Sequence, residues 1–225
     1  MPSNFTNYPQ RPQSRICDYS FLILKTTHES ASNLLNTFNN IRIQRRAHGT
    51  PTNAEQDLLR AMLVFASAGL DSVVKQLVKD TIKKVVEVNK GAESTFKAFV
   101  EKKLYKNEII DHKLITGVFF ATSPREHLLS LLKADLLSSS LQSKDALFRA
   151  GSFFNIPSND ICTNPDKLSK VFHDRNHIVH EMDIDLGQTN RNRLPRRKAE
   201  MIGHTNYIFE VTNNFLKAVD RILDV

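Results

Sequence analysis

The sequence predicts an all-α protein, a helical bundle built around one long apolar helix. The 225 residues include only 7 glycines and 8 prolines, too few for a turn-rich β-sandwich. Segments rich in Leu, Lys, Ala and Glu favour helices, and strand signals are sparse. A chain of this length fits one domain with a sizeable core. We therefore expect a single all-α domain over residues 15–225.

The N-terminal region begins with a polar, proline-containing stretch. Residues 1–14 are expected to be a disordered tail, and they lack the apolar segment of a secretion signal. Residues 15–46 then follow a helical pattern, which ends at His48-Gly49-Thr50-Pro51. The apolar stripe of this first helix is discontinuous and comprises Phe21, Leu22, Leu24, Leu34, Leu35, Phe38 and Ile41.

The second helix is predicted to be the central one. Thr52 and Glu55 have the spacing of a capping box, and the helix should continue to about Val88. Between residues 58 and 74 it is apolar nearly all round, as expected for the middle of a bundle. Its apolar run contains Asp71 and is too short to span a bilayer, so no membrane contact is expected.

The remaining helices are separated by clear stop and start signals. Asn89-Lys90-Gly91 should end the central helix, and a shorter helix is expected over 94–103. Residues 109–121 fit either a helix or a short extended piece. Ser123-Pro124-Arg125-Glu126 has the pattern of a second capping box. Ser143 should cap one later helix, Asn164 should cap another, and a last helix is expected over 197–223.

The stretch from Asp174 to Glu181, near the end of the helix that Asn164 starts, concentrates reactive side chains. At about 100° per residue, Arg175 lies in the middle of an apolar stripe, while Asn176 and His180 share the adjacent face. His177 points roughly away from Arg175 and is expected at the surface. The stripe around Arg175 comprises Leu168, Val171, Phe172, Ile178 and Val179.

A guanidinium on a buried stripe needs an anionic partner. Leaving it unpaired would cost several kcal/mol. Asp71 interrupts the apolar face of the central helix, so we expect it to lie near Arg175 or bond to it. Two alternatives stay open at this point. The Arg175–Asp71 pair could only fix helix register, and His180 could only bond a carbonyl at a helix end.

The charge balance favours an anionic partner. The formal net charge is +7, and nucleic acid is the first candidate, although many mildly basic proteins bind no anion. The loop after the motif holds five cations in eight residues, which we interpret as contacts to an RNA backbone; a solvated loop without a partner is the alternative. These cations are Arg191, Arg193, Arg196, Arg197 and Lys198.

The two cysteines, Cys17 and Cys162, are far apart in sequence. This usage is typical of a reducing cytoplasm and excludes a disulfide framework or a cysteine-rich zinc site. The sequence contains no phosphate-binding glycine loop, no H-E-x-x-H and no nucleophile elbow. No cofactor and no catalytic metal are therefore expected.

The string Arg175-Asn176-x-x-x-His180 resembles the Arg-x4-6-His signature of the HEPN superfamily (higher eukaryotes and prokaryotes nucleotide-binding). A polar residue directly after the arginine is also the type that the superfamily prefers. The segment from Leu59 to Val74, with its acidic Asp71, is similar to a helix of the RiboL-PSP-like branch. The resemblance covers about residues 52–222; the first 50 residues and residues 90–122 look like additions.

The resemblance implies a dimer in which the motif helices face each other, and a metal-independent endoribonuclease of toxin or antiviral-defence type. It implies Arg175 and His180 as the catalytic pair, Asn176 as their polar helper and Asp71 as an acidic support. A non-catalytic module that binds RNA, nucleotide or protein is the main rival, and a structural helical adaptor is the second. Because a nuclease of this kind would harm its own cell, we also expect a neutralising antitoxin or regulatory partner.

Overall fold

The computed structural model describes residues 5–106, 109–187 and 189–224, and over these ranges the protein is all-α. A short 3-10 turn (Arg15–Cys17) precedes α1 (Asp18–Gln44), α2 (Asn53–Val88) and α3 (Lys90–Leu104). A small antiparallel hairpin, β1 (Tyr105–Lys106) and β2 (Ile109–Ile110), leads into α4 (His112–Phe119). The chain continues through α5 (Pro124–Leu137), α6 (Lys144–Phe153), α7 (Ser158–Ile161), α8 (Pro165–Glu181) and α9 (Lys198–Leu223).

Residues 5–14 differ from the disordered tail that the sequence predicts. Phe5 is buried, with its ring against His28 of α1 and Phe209 of α9. Further along, the backbone N–H groups of Gln13 and Ser14 both donate to the carboxylate of Asp220 at 2.9 Å. The aromatic side chain and the carboxylate hold this extended segment on the bundle. Residues 1–4 lie outside the described residues.

The central helix α2 starts at the predicted capping box. Thr52 Oγ1 accepts from the Glu55 N–H at 3.3 Å, and Glu55 Oε2 accepts from the Thr52 N–H at 2.7 Å. Glu55 also binds Arg42 and Arg45, which ties the end of α1 to the start of α2. The α1–α2 contact is close at Gly69, where a Cβ would lie 2.3 Å from Thr27 Cγ2.

The sequence prediction judged the apolar run around Asp71 too short to span a bilayer. The whole of α2, by contrast, is long and apolar enough to cross a membrane by length and composition alone. Its most apolar window has a mean hydropathy of 1.4, and 56% of that window is buried inside the protein. Core helices of bundles have the same character. In this fold α2 contacts α1, α3, α5, α8 and α9.

The middle of the chain resolves two uncertain predictions. Residues 109–121, ambiguous in sequence, form β2 and then α4. The second predicted capping box is wrong, because Ser123 makes no side-chain cap and Glu126 pairs with Lys83 of α2 instead. Ser143 and Asn164 do cap α6 and α8 as predicted. Asn89 does not only end α2, since its side chain caps α3 from Lys90 onward.

Candidate functional site

The candidate site lies on the last two turns of α8. This helix starts at Asn164, whose side chain accepts from the Lys167 N–H, with Pro165 in the first turn. Its buried face comprises Leu168, Val171, Phe172 and Ile178, as predicted, while Val179 is 37% exposed. The helix ends at two residues with left-handed backbone, Met182 (φ 53°) and Asp183 (φ 61°). Asp tolerates this conformation better than most residues.

Arg175 is half-buried and lacks a carboxylate partner within the described chain. Its Nη1 donates to Asn176 Oδ1 at 2.9 Å, whereas its buried Nε has no hydrogen-bond partner. Burial lowers the pKa of Arg175, and the negative charge of Asp71 partly offsets that effect. The guanidinium nevertheless stays protonated, so a charged donor is left unsatisfied at this face.

Asp71 lies near enough for its charge to act on Arg175, which agrees with the prediction of a near or bonded carboxylate, and the two side chains are not bonded. Asp71 Oδ1 accepts from the Leu141 N–H at 2.7 Å, and Oδ2 pairs with Lys75 at 2.9 Å. The carboxylate is thus occupied by the loop before α6 and by its own helix. Its influence on Arg175 is only through its charge.

The two motif histidines occupy different environments. His180 is exposed in the last turn of α8. His177, expected at the surface, has a side chain only 17% exposed, with Nε2 at 3.1 Å from Glu181 and Nδ1 at 3.4 Å from Asp183. The carboxylates at the helix end draw His177 inward, so His180 is the histidine free to meet a ligand.

Sequence reasoning missed a buried ionic network just beside the motif. Asp183 is fully buried and accepts from Arg60 Nε at 2.7 Å and from Arg196 Nη2 at 2.6 Å. Arg196 also donates to Asp174 Oδ1 at 3.0 Å, and Arg60 donates to the Leu194 carbonyl at 2.8 Å. The sequence signal that could have indicated this network was Arg60, a single arginine within an apolar stretch of α2. Nothing in the sequence indicates its partner, Asp183.

This network corrects the assignment of Arg196 as an RNA contact. The side chain is buried and saturated by two carboxylates, so it fixes the loop and the end of α8. Burial alone would lower the pKa of Arg196, but the bonds to Asp183 and Asp174 raise it above its ordinary value. Its role in this structure is to hold the protein together.

The other loop cations are placed unequally. Arg193 is bound to the Met182 carbonyl and to Asp57. Arg191 and Arg197 are exposed, and neither makes a side-chain ion pair among the described residues. Arg197 and Lys198 line a cleft of about 890 Å³ together with Phe38 and Arg42. The Lys198 ammonium lies 5.9 Å from the centre of the Phe38 ring.

One ion pair and one electrostatic effect show how α2 and α8 run beside each other. Arg60 bonds Asp183 near the start of α2, whereas Asp71, eleven residues further along α2, acts on Arg175. The helices are therefore antiparallel, and residues 61–70 lie beside the last turns of α8. Between Asp57 and Asp71, every α2 residue that is not fully buried is apolar: Leu58, Ala61, Val64, Phe65 and Ala68.

Comparisons with protein-family models, with curated proteins and with solved structures found no match to this chain.

Proposed function

We propose that this protein is a metal-independent endoribonuclease of the HEPN type, with Arg175, Asn176 and His180 as its catalytic group. The observation that carries the proposal is the unsatisfied, half-buried Arg175 guanidinium on the same two turns as an exposed histidine. A bound phosphate would supply the acceptor that Arg175 lacks. Asn176 supports the proposal by accepting a hydrogen bond from Nη1, which orients the guanidinium, while the buried Nε stays unpaired.

The chemistry uses the nucleophile that RNA itself carries, the 2′-OH. One imidazole accepts the 2′ proton as the oxygen attacks phosphorus. Arg175 binds the non-bridging oxygens and stabilises the charge that develops there. The bond to the 5′ oxygen breaks as that oxygen receives a proton from a second, protonated imidazole, which is left neutral. The products are a 2′,3′-cyclic phosphate and a free 5′-OH.

A second chain would complete this arrangement. Arg175 and His180 are five residues apart, so they project roughly 140° apart around α8 and about 7.5 Å apart along it. Of the two motif histidines, one chain offers only the exposed His180, whereas the reaction uses an acid and a base. A homodimer with facing motifs supplies two of each group in one cleft.

The uncharged face of α2 supports the same dimer. Phe65 is 52% exposed, and Met182, just after the motif, is 61% exposed. Large exposed apolar side chains that cluster on one face are typical of protein interfaces. Phe65 lies on the stretch of α2 beside α8, and Met182 directly follows α8, so both would be available to a second copy that packs against the motif helix.

The dimer is tested by replacing Phe65 with glutamate and measuring the sedimentation coefficient. We expect Phe65→Glu to shift the protein to monomers and to reduce RNA cleavage in parallel. The matched control is Phe119→Glu, since Phe119 is 79% exposed but lies on α4, in the inserted segment. A dimer that survives Phe65→Glu would contradict this interface.

Catalysis is tested with single-stranded RNA and the chelator-treated protein. Wild type should cleave it and leave 2′,3′-cyclic phosphate ends, identified by end-group analysis. Arg175→Ala should lose cleavage while remaining folded and dimeric, and Arg175→Lys should recover only part of it because lysine lacks the planar fork. Cleavage that requires added metal would refute the proposal.

A non-catalytic binding module is the second candidate, and the cleft of about 890 Å³ favours it. The cations that line it, Arg42, Arg197 and Lys198, could hold the phosphates of a nucleic acid. This candidate predicts RNA binding without cleavage by wild type.

The endoribonuclease proposal further implies a cytoplasmic toxin or antiviral-defence role and a neutralising protein partner.

A further inference from the structure

We infer a zinc site between α8 and α9, formed by Asp174, Glu200 and His204. One ligand atom from each residue lies within 4.8 Å of the other two. Glu200 and His204 are four residues apart on α9 and therefore share a face. Asp174 reaches the same point from α8, directly before Arg175.

Two orphaned atoms point into this site. His204 is only 7% exposed, and its buried Nδ1 has no hydrogen-bond partner. The buried Oδ2 of Asp174 has none either. Buried polar atoms are normally satisfied, and these two face each other at 3.6 Å.

That separation suits a shared metal ion. Ligand atoms about 2.0–2.2 Å from a tetrahedral zinc are roughly 3.3–3.6 Å from one another. A hydrogen bond between the same atoms would be shorter. An imidazole with two carboxylates is a donor set that zinc accepts, with water in the remaining position.

The neighbours of Asp174 and Glu200 leave a carboxylate oxygen of each available to a metal. Arg196 donates to Asp174 Oδ1 at 3.0 Å, which fixes the carboxylate and leaves Oδ2 free. Partners of this kind orient metal ligands. Lys170 approaches Glu200 only at 4.0 Å.

The zinc would tie α8 to α9 at the turn that presents Arg175. It takes no part in the proposed RNA cleavage, and the inference does not depend on that function. Chelation should therefore lower the melting temperature while RNA cleavage persists below it.

The test is zinc titration of the full, chelator-treated chain, followed by calorimetry and by thermal unfolding. We expect one zinc per chain and a rise in melting temperature. Glu200→Gln and His204→Gln should each weaken zinc binding by more than about tenfold, since even outer partners of ligands contribute that much. Glu200 is partly exposed, so its variant stays informative if His204→Gln does not fold.

The matched control is His173→Gln, since His173 is an exposed histidine adjacent to Asp174. It should bind zinc like wild type, and so should Arg175→Ala and His180→Ala. Glu200→Gln, which weakens zinc binding, should still cleave RNA. The inference is overturned if wild type binds no zinc. It is equally overturned if Glu200→Gln and His204→Gln both bind as tightly as wild type, which would leave Asp174 and His204 as a simple polar contact.

Discussion

Two arginines only 21 positions apart in sequence occupy opposite environments. Arg196 is buried, and its guanidinium is paired with the carboxylates of Asp183 and Asp174. Arg175 is half-buried, near Asp71 but unbonded to it, and keeps an unsatisfied Nε. A saturated arginine stabilises a fold, whereas one that carries a desolvation cost without a partner is prepared for a ligand. The difference separates the scaffold of this region from its candidate site.

The largest effect should come from breaking the saturated network. Asp183→Asn removes the charge but tolerates the left-handed backbone. We expect the free energy of unfolding to fall by about 3–5 kcal/mol, because two buried arginines lose the fully buried carboxylate that they share and keep only Asp57 and Asp174. Urea denaturation measures it. A loss under about 0.5 kcal/mol would show that the network does not hold this region together.

The same carboxylate should make stability depend on pH. Burial alone would raise the pKa of Asp183, but hydrogen bonds from Arg196 and Arg60 outweigh it and hold the pKa below its usual value. This contribution is complete above the unfolded pKa, about 3.9, and disappears as pH falls through the lower folded value.

Urea unfolding between pH 7 and 2.5 checks the pH dependence. Wild type should lose stability below about pH 5, and Asp183→Asn should show a flatter decline. The exposed control Asp160→Asn should follow wild type. An equally steep decline in Asp183→Asn would assign the acid sensitivity to other groups.

Arg175 should behave oppositely when it is replaced by an apolar residue of similar length. Arg175→Met removes an unpaired, partly desolvated charge, so its free energy of unfolding should equal that of wild type or exceed it by about 1 kcal/mol. Urea denaturation is again the measurement. A loss above about 2 kcal/mol would mean that Arg175 is structural, which is the adaptor hypothesis.

The smallest effect concerns the loop cations that remain free. In a His180→Ala background, Arg197→Gln should weaken RNA binding and reduce the salt slope by about 0.7, the value for one contact to a single strand. Arg221→Gln, an exposed cation at the far end of α9, serves as the control. An unchanged slope would leave Arg197 as a solvated residue.

Local sequence signals predicted much of this fold. Helix caps at Thr52, Ser143 and Asn164 depend on neighbouring residues, and all three are confirmed. The buried positions of α8 also follow from its periodicity. Long-range pairings did not follow, since Asp183 meets Arg60 across 123 positions and no local pattern encodes that contact. The same limit explains why the sequence left open whether Asp71 bonds Arg175, why it misassigned Arg196, and why it missed the contacts of residues 5–14.

The candidate site was predictable to the extent that it lies on one helix. Spacing placed Arg175 on the buried stripe and His180 on another face, and the helix has that geometry. Which charges stay unpaired depends on α2 and the loop after α8, so the sequence alone could not separate Arg175 from Arg196. The dimer and the ribonuclease activity stay predictions.

The most direct measurement is the rate of single-stranded RNA cleavage in chelator by wild type, His180→Ala and His173→Ala. Both histidines are exposed on α8, so the pair controls for surface and charge. We predict that His180→Ala loses at least about 10²-fold in rate, as expected for a general acid or base, while His173→Ala matches wild type. Equal rates for wild type and His180→Ala, or no cleavage by wild type, would contradict the assignment of α8 as a ribonuclease site.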